Sequence, residues 1–164
     1  MAEQIYSQST RKILQNKKLI EDSLKIKISA KNNIVTLEGK GEDEYIGLKV
    51  IEAINLGFPV PKALLLKEED VIFEKVLIKS IAKRKDLSQV RARIIGTQRK
   101  ALTTIEDLTG TIISVHENTV GIIGRYDDMQ KALFVIKRII AGSKHANMYA
   151  WLENQKILEK SKFE

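Results

Sequence analysis

"ARIIGTQRKALTTIEDLTG", residues 92–110, sets one glycine between an apolar run and three polar or cationic residues, then begins an amphipathic pattern at once. Glycine lets a backbone turn sharply and approach a neighbour closely. A helix that starts from such a turn offers unpaired N–H groups and a partial positive charge. Together they predict a phosphate site at the start of a helix running from about Lys100 to Leu108. Gly110 suits that helix's C-terminal stop.

Working outward, "VIFEKVLI" (71–78) is rich in β-branched and apolar residues and reads as a strand. Leu87, Val90, Ile94 and Ile95 fall at helical spacing within 86–95. "TIISVHE" and "NTVGIIG" form a hairpin across "HEN". A longer helix begins near Asp127, with Met129, Leu133, Ile136, Ile139 and Ile140 on one face. The order is strand, helix, glycine loop, helix, strand, strand, helix.

The same plan occurs earlier in the chain. "NIVTLEG" begins at Asn33 and "NTVGIIG" at Asn118, 85 residues later. That offset also pairs Ile20-Glu21-Asp22 with Ile105-Glu106-Asp107, Val50-Ile51 with Val135-Ile136, and Gly57 with Gly142. Two copies of one module are therefore expected. In the first copy "LKIKI" and "NIVTLEG" are the hairpin strands and "EYIGLKVIEAINLG" the long helix. At the position of "GTQR" the first copy has "RKIL" (11–14), with no glycine. Its first strand is either missing or supplied in shortened form by residues 3–8. "GFPVPKALLLKEED" joins the copies, and Pro61 can open a short helix there. The domain reading is 1–67 for a degenerate first module, 68–142 for the second and 143–164 for a C-terminal helix and tail. The fold class is α+β.

Composition sets limits. The 164 residues carry 28 Lys and Arg against 21 Asp and Glu, a net charge of +7 that favours nucleic acid or another polyanion. The chain has no cysteine, which rules out disulfides, thiolate metal sites and thiol nucleophiles. No apolar run reaches the roughly 18 residues of a membrane span, and the N-terminus has no signal-like stretch. A cytoplasmic protein without cofactor or metal is expected. His116 and His145 stand apart and make a poor ligand set. Glu106-Asp107 and Glu21-Asp22 read as capping or surface residues rather than catalytic carboxylates. "GTQRK" lacks the G-x-x-x-x-G-K-[ST] pattern of a nucleotide-hydrolysing loop.

"RIIGTQRKALTTIEDLTGTIISV" (93–115), following a strand and a helix, resembles the diagnostic segment of a type I KH domain. The paired modules, the linker and the tail "AGSKHANMYAWLENQK" (141–156) are similar to the archaeal relatives of the eukaryotic partner-of-Nob ribosome-assembly family. The resemblance implies two tandem KH modules, the first degenerate. It also implies binding to single-stranded precursor small-subunit rRNA near its 3′ end and support of its maturation by the Nob endonuclease, without nuclease activity of its own. Some archaeal members contact the alpha subunit of translation initiation factor two. The family loop usually has a second glycine where this chain has Arg99.

A KH loop clamps the backbone of about four nucleotides. By resemblance, Gly96, Thr97, Gln98 and Arg99 take that role, with the Arg99 guanidinium beside the phosphates. Lys100 and Arg93 flank the loop. Ile94, Ile95 and Ile105, with Ile113 on the strand, are candidates for an apolar wall under the bases, although core positions suit them equally. Between Lys79 and Lys100 there are eight cations (Lys79, Lys83, Arg84, Lys85, Arg91, Arg93, Arg99, Lys100) against one acid, Asp86. Tyr149, Trp151 and Leu152 either stack on RNA or, as their helical spacing favours, dock the last helix. An alternative function is a protein-interaction scaffold, linking an endonuclease or initiation-factor subunit to the pre-ribosome with RNA contact secondary.

Overall fold

The period-two alternation of "KISAK" and "IVTLE" puts Ile28, Val35 and Leu37 on one face, and the first sheet buries all three. In the computed structural model, which describes residues 2–162, β1 (Ala2–Tyr6) leads through α1 (Thr10–Gln15) and α2 (Lys17–Leu24) to the hairpin β2 (Lys27–Lys31) and β3 (Ile34–Glu38). Asn32 and Asn33 both take positive φ, the geometry that matches the twist of a two-residue hairpin. The long helix α3 (Gly41–Asn55), the short α4 (Val60–Ala63) and a 3-10 turn (Leu64–Lys67) follow. Strand order is β1-β3-β2, with Ile5 opposite Val35. The first strand is thus present in shortened form, over residues 2–6 where 3–8 was expected. Ile20, Val50, Ile51, Ile54 and Phe58 complete this core.

The second unit repeats the order with more chain. β4 (Val71–Leu77) is followed by α5 (Ile78–Ile81), α6 (Leu87–Ile95), a 3-10 turn (Thr97–Arg99), α7 (Lys100–Thr109), the hairpin β5 (Ile112–His116) and β6 (Thr119–Arg125), α8 (Tyr126–Ile140) and α9 (His145–Lys162). Its strand order, β4-β6-β5, matches the first. The two compact units meet in sequence between Phe73 and Glu74, inside β4. Leu152 is buried, and Trp151 stacks on Phe134 with ring centroids 4.4 Å apart. The Trp151–Phe134 pair and the Lys131–Glu159 ion pair dock α9 on α8. No helix among the described residues is long and apolar enough to cross a membrane.

The internal repeat holds at the level of single hydrogen bonds. Glu21 accepts from the Ile28 amide at 2.8 Å, and Glu106, 85 residues on, accepts from the Ile113 amide at 2.9 Å. The pattern read as capping or surface charge is therefore a tie from helix to strand. The Ser7 amide donates to the Asn33 carbonyl and the Ile78 amide to that of Asn118. The two asparagines are 85 apart, but Ser7 and Ile78 only 71, so the first module is fourteen residues shorter between its first strand and its second helix. That shorter span has no glycine. Arg11 to Leu14 lie instead inside α1, with Ile13 buried.

The repeat also locates a strained residue. Lys25 caps α2 in the left-handed conformation at φ 57°, where the second module has Gly110 at φ 72°. A side chain there costs roughly 1–2 kcal/mol. Lys25→Gly is expected to raise the stability of the first unit by about 1 kcal/mol in chemical denaturation, with Gly110→Lys lowering that of the second by a similar amount.

Candidate nucleic-acid interface

Asp86 starts α6 by accepting from the Ser88 amide at 3.1 Å. The Ser88 hydroxyl, first among several donors, holds the Asp86 carboxyl below its usual range. The only acid in the basic segment is thus engaged at a helix N-terminus. Lys79, Lys83, Arg84, Lys85 and Lys100 are exposed.

The helix ends at Gly96, whose φ of 77° is open to glycine and strained for other residues. A Cβ added there would stand 2.7 Å from both the Cβ and the backbone nitrogen of Ala101, so α7 starts hard against the loop. Gln98 (φ 54°, ψ 33°) and Arg99 (φ 64°, ψ 17°) then take left-handed conformations. Arg99 thus holds a conformation that a glycine would take without strain.

Most loop amides are used internally. The Gly96 N–H donates to the Ala92 carbonyl at 2.8 Å, that of Arg99 to Gly96 at 3.2 Å and that of Lys100 to Thr97. Among the described residues, no acceptor takes the amides of Thr97 or Gln98. They belong to exposed residues beside the N-terminus of the ten-residue α7, where the helix dipole adds positive potential.

Several residues expected to face a ligand do something else. The Arg99 guanidinium turns away from the loop and clasps Glu106 at 2.6 Å, Thr103 at 3.2 Å and the Ile113 carbonyl at 3.0 Å. It stitches α7 to β5. Arg93 donates to the carbonyls of Ile139 and Ser143, at 2.9 and 2.8 Å, and so caps the end of α8. Arg91 reaches the Asn118 side chain at the hairpin tip. Ile94, Ile105 and Ile113 are at most 1% exposed. They are core residues and wall no open groove, because the apolar stripe of each element is spent on packing. Ile95 is half-buried, while Thr97, Gln98 and Lys100 are exposed.

Two residues of α9 stand close to the loop: Tyr149, for which RNA stacking and helix docking were both open, and His145, read only as a poor metal ligand. His145 and Tyr149 on α9 line, with Ala92, Gly96, Thr97 and Lys100, an open concavity of about 500 Å³. Their spacing of four along one helix was the available signal. Among the described residues there is no cluster of His, Asp or Glu able to hold a metal ion.

Residues 72–157 match the model of the eukaryotic-type KH domain (KH domain type I) for the second KH domain of Pno1. A KH domain-containing protein of Methanocaldococcus jannaschii is 31% identical over 156 residues, covering 90% of this chain and 69% of its own length. The pre-rRNA-processing protein pno1 of Aspergillus fumigatus is 28% identical over 155 residues, and this chain spans 59% of its length. The crystal structure of the a/eIF2alpha–aDim2p–rRNA complex from Pyrococcus horikoshii contains a chain of TM-score 0.85 and 28% identity, matched over 95% of this chain and 94% of that one.

Proposed function

Because the chain belongs to the Pno1/Dim2 family of KH-domain pre-rRNA-processing proteins, we propose that it binds single-stranded precursor small-subunit rRNA near the 3′ end and assists cleavage there by the Nob endonuclease. The observation that carries the reading is the pair of unclaimed amides at Thr97 and Gln98, set at a helix N-terminus beside Lys100. Two unclaimed N–H donors and a helix dipole suit a phosphodiester, whose oxygens accept without needing a proton. The exposed Lys79, Lys83, Arg84 and Lys85 add counterion release to the same strand. Gly96, Thr97, Gln98 and Lys100 are the binding residues. Arg93 and Arg99 act through the scaffold.

The first module gives the scaffold reading a specific support. It has the same sheet and helix-to-strand tie, but its described residues include no glycine loop comparable to that at Gly96. We assign it to protein contact, with the alpha subunit of initiation factor two as partner. The co-crystallised a/eIF2alpha, aDim2p and rRNA of Pyrococcus horikoshii support that pairing. Photocrosslinking the full chain to a pre-rRNA fragment spanning the mature 3′ end tests the division of labour. Attachment is expected at residues 97–100, together with faster cleavage by the Nob endonuclease when the protein is added. Attachment confined to residues 10–24, with cleavage unaffected, would overturn it.

A further inference from the structure

We propose that the concavity behind the loop, between α7 and α9, takes one unpaired nucleobase of the RNA strand, stacked against Tyr149. This rests on the loop reading above, since the base would belong to a nucleotide adjoining the clamped phosphates. Its lining residues Lys100, Ala101 and Thr104 lie on the flank of α7 opposite to Thr103 and Glu106, which meet β5 through Arg99. The site is therefore separate from the strand side of the loop. It shares Gly96, Thr97 and Lys100 with the phosphate site, so a strand passing the loop reaches it without a gap.

The chemistry fits a planar heteroaromatic with a phosphate attached. Tyr149 and His145 meet edge to face with ring centroids 6.0 Å apart, and Ala92 and Ala101 add small apolar surface. No carboxylate lines the site, while Lys100 and Arg93 do. The walls are fixed: His145 Nε2 donates to the Arg93 carbonyl at 2.7 Å, and the Arg93 guanidinium is held by Ile139 and Ser143. Burial pushes the Tyr149 phenol up, so the ring stays neutral. The site accepts any base by its π-face.

The test uses the full chain and a single-stranded RNA oligonucleotide copied from the 3′ end of small-subunit rRNA, with each nucleoside in turn made abasic. Tyr149→Ala is expected to weaken binding by roughly tenfold, the share of one stacked base. One abasic position is expected to cost the same with the wild-type chain and nothing further with Tyr149→Ala, while Tyr149→Phe keeps most of the affinity. Fluorescence of the lone tryptophan, Trp151, which stacks on Phe134, reports whether α9 stays docked in each variant. Unchanged affinity for Tyr149→Ala, or losses that add at every abasic position, would overturn the base site. So would undocking of α9 by Tyr149→Ala together with an equal loss at every abasic position in Tyr149→Phe. Loss of binding by Gly96→Asp alongside any of these results would leave the loop reading standing.

Discussion

Gly96→Asp is expected to weaken binding of a 3′-terminal rRNA fragment by about a hundredfold or more. At φ 77° a side chain is already strained by roughly 1–3 kcal/mol. The new Cβ also meets the Ala101 backbone nitrogen at 2.7 Å, and a main-chain atom at the start of α7 cannot swing aside as a side chain would. The loop must open, which moves the Thr97 and Gln98 amides off the phosphate. Hydrogen bonds to a charged group are worth about 1.5–3 kcal/mol each, and about 2.7 kcal/mol already corresponds to a hundredfold change in affinity. The aspartate charge adds repulsion at that point. Gly96→Ala separates the terms: it has the clash without the charge and is expected to lose most of the same affinity. Isothermal titration, with Trp151 fluorescence as a check on α9, measures both. Wild-type affinity in Gly96→Ala would mean that the amides are not the contact.

What the sequence made legible was what local chemistry dictates. Gly96 and Gly110 stand at positive φ, so the loop and the stop of α7 could be read from two residues. The 85-residue repeat located both hairpins, and its glutamates proved to hold the same strand amide in each module. β1 stayed undecided because five residues, mostly exposed, show no alternation to read. Its place is fixed by pairing with β3, a distant segment.

Direction was the part that sequence could not give. Helical period tells which residues of α6 and α7 share a face, but not how completely a neighbour covers it. Ile94 and Ile105 therefore read as wall or floor alike until their complete burial is seen. Long cations are harder still. Arg93 finds carbonyls 46 and 50 residues away, and Arg99 finds a carboxylate seven residues on. A charge count cannot separate these structural guanidinium groups from the exposed lysines around the loop. Tyr149 illustrates the same limit on α9: its neighbours Trp151 and Leu152 dock, while it faces the loop.

That separation of cations yields the second large effect. Replacing Lys83, Arg84, Lys85 and Lys100 together with Gln is expected to flatten the dependence of log affinity on log salt by about three, at roughly 0.7 for each single-strand phosphate that is no longer neutralised. At low salt the affinity falls by orders of magnitude, and the difference from wild type shrinks as salt rises. Arg99→Gln should behave differently although it removes the same charge. Its guanidinium is spent on Glu106 and the Ile113 carbonyl, so the slope stays near wild type and the loss falls on stability. The Arg99 side chain is 47% exposed, which holds the ion-pair share of that loss to about 1 kcal/mol or less. Glu106→Gln is expected to mimic it in denaturation without touching the salt slope. If instead Arg99→Gln flattens the slope as much as Lys100→Gln does, the clasp opens when RNA arrives. Arg99 would then belong to the phosphate site, with Glu106 holding it in reserve.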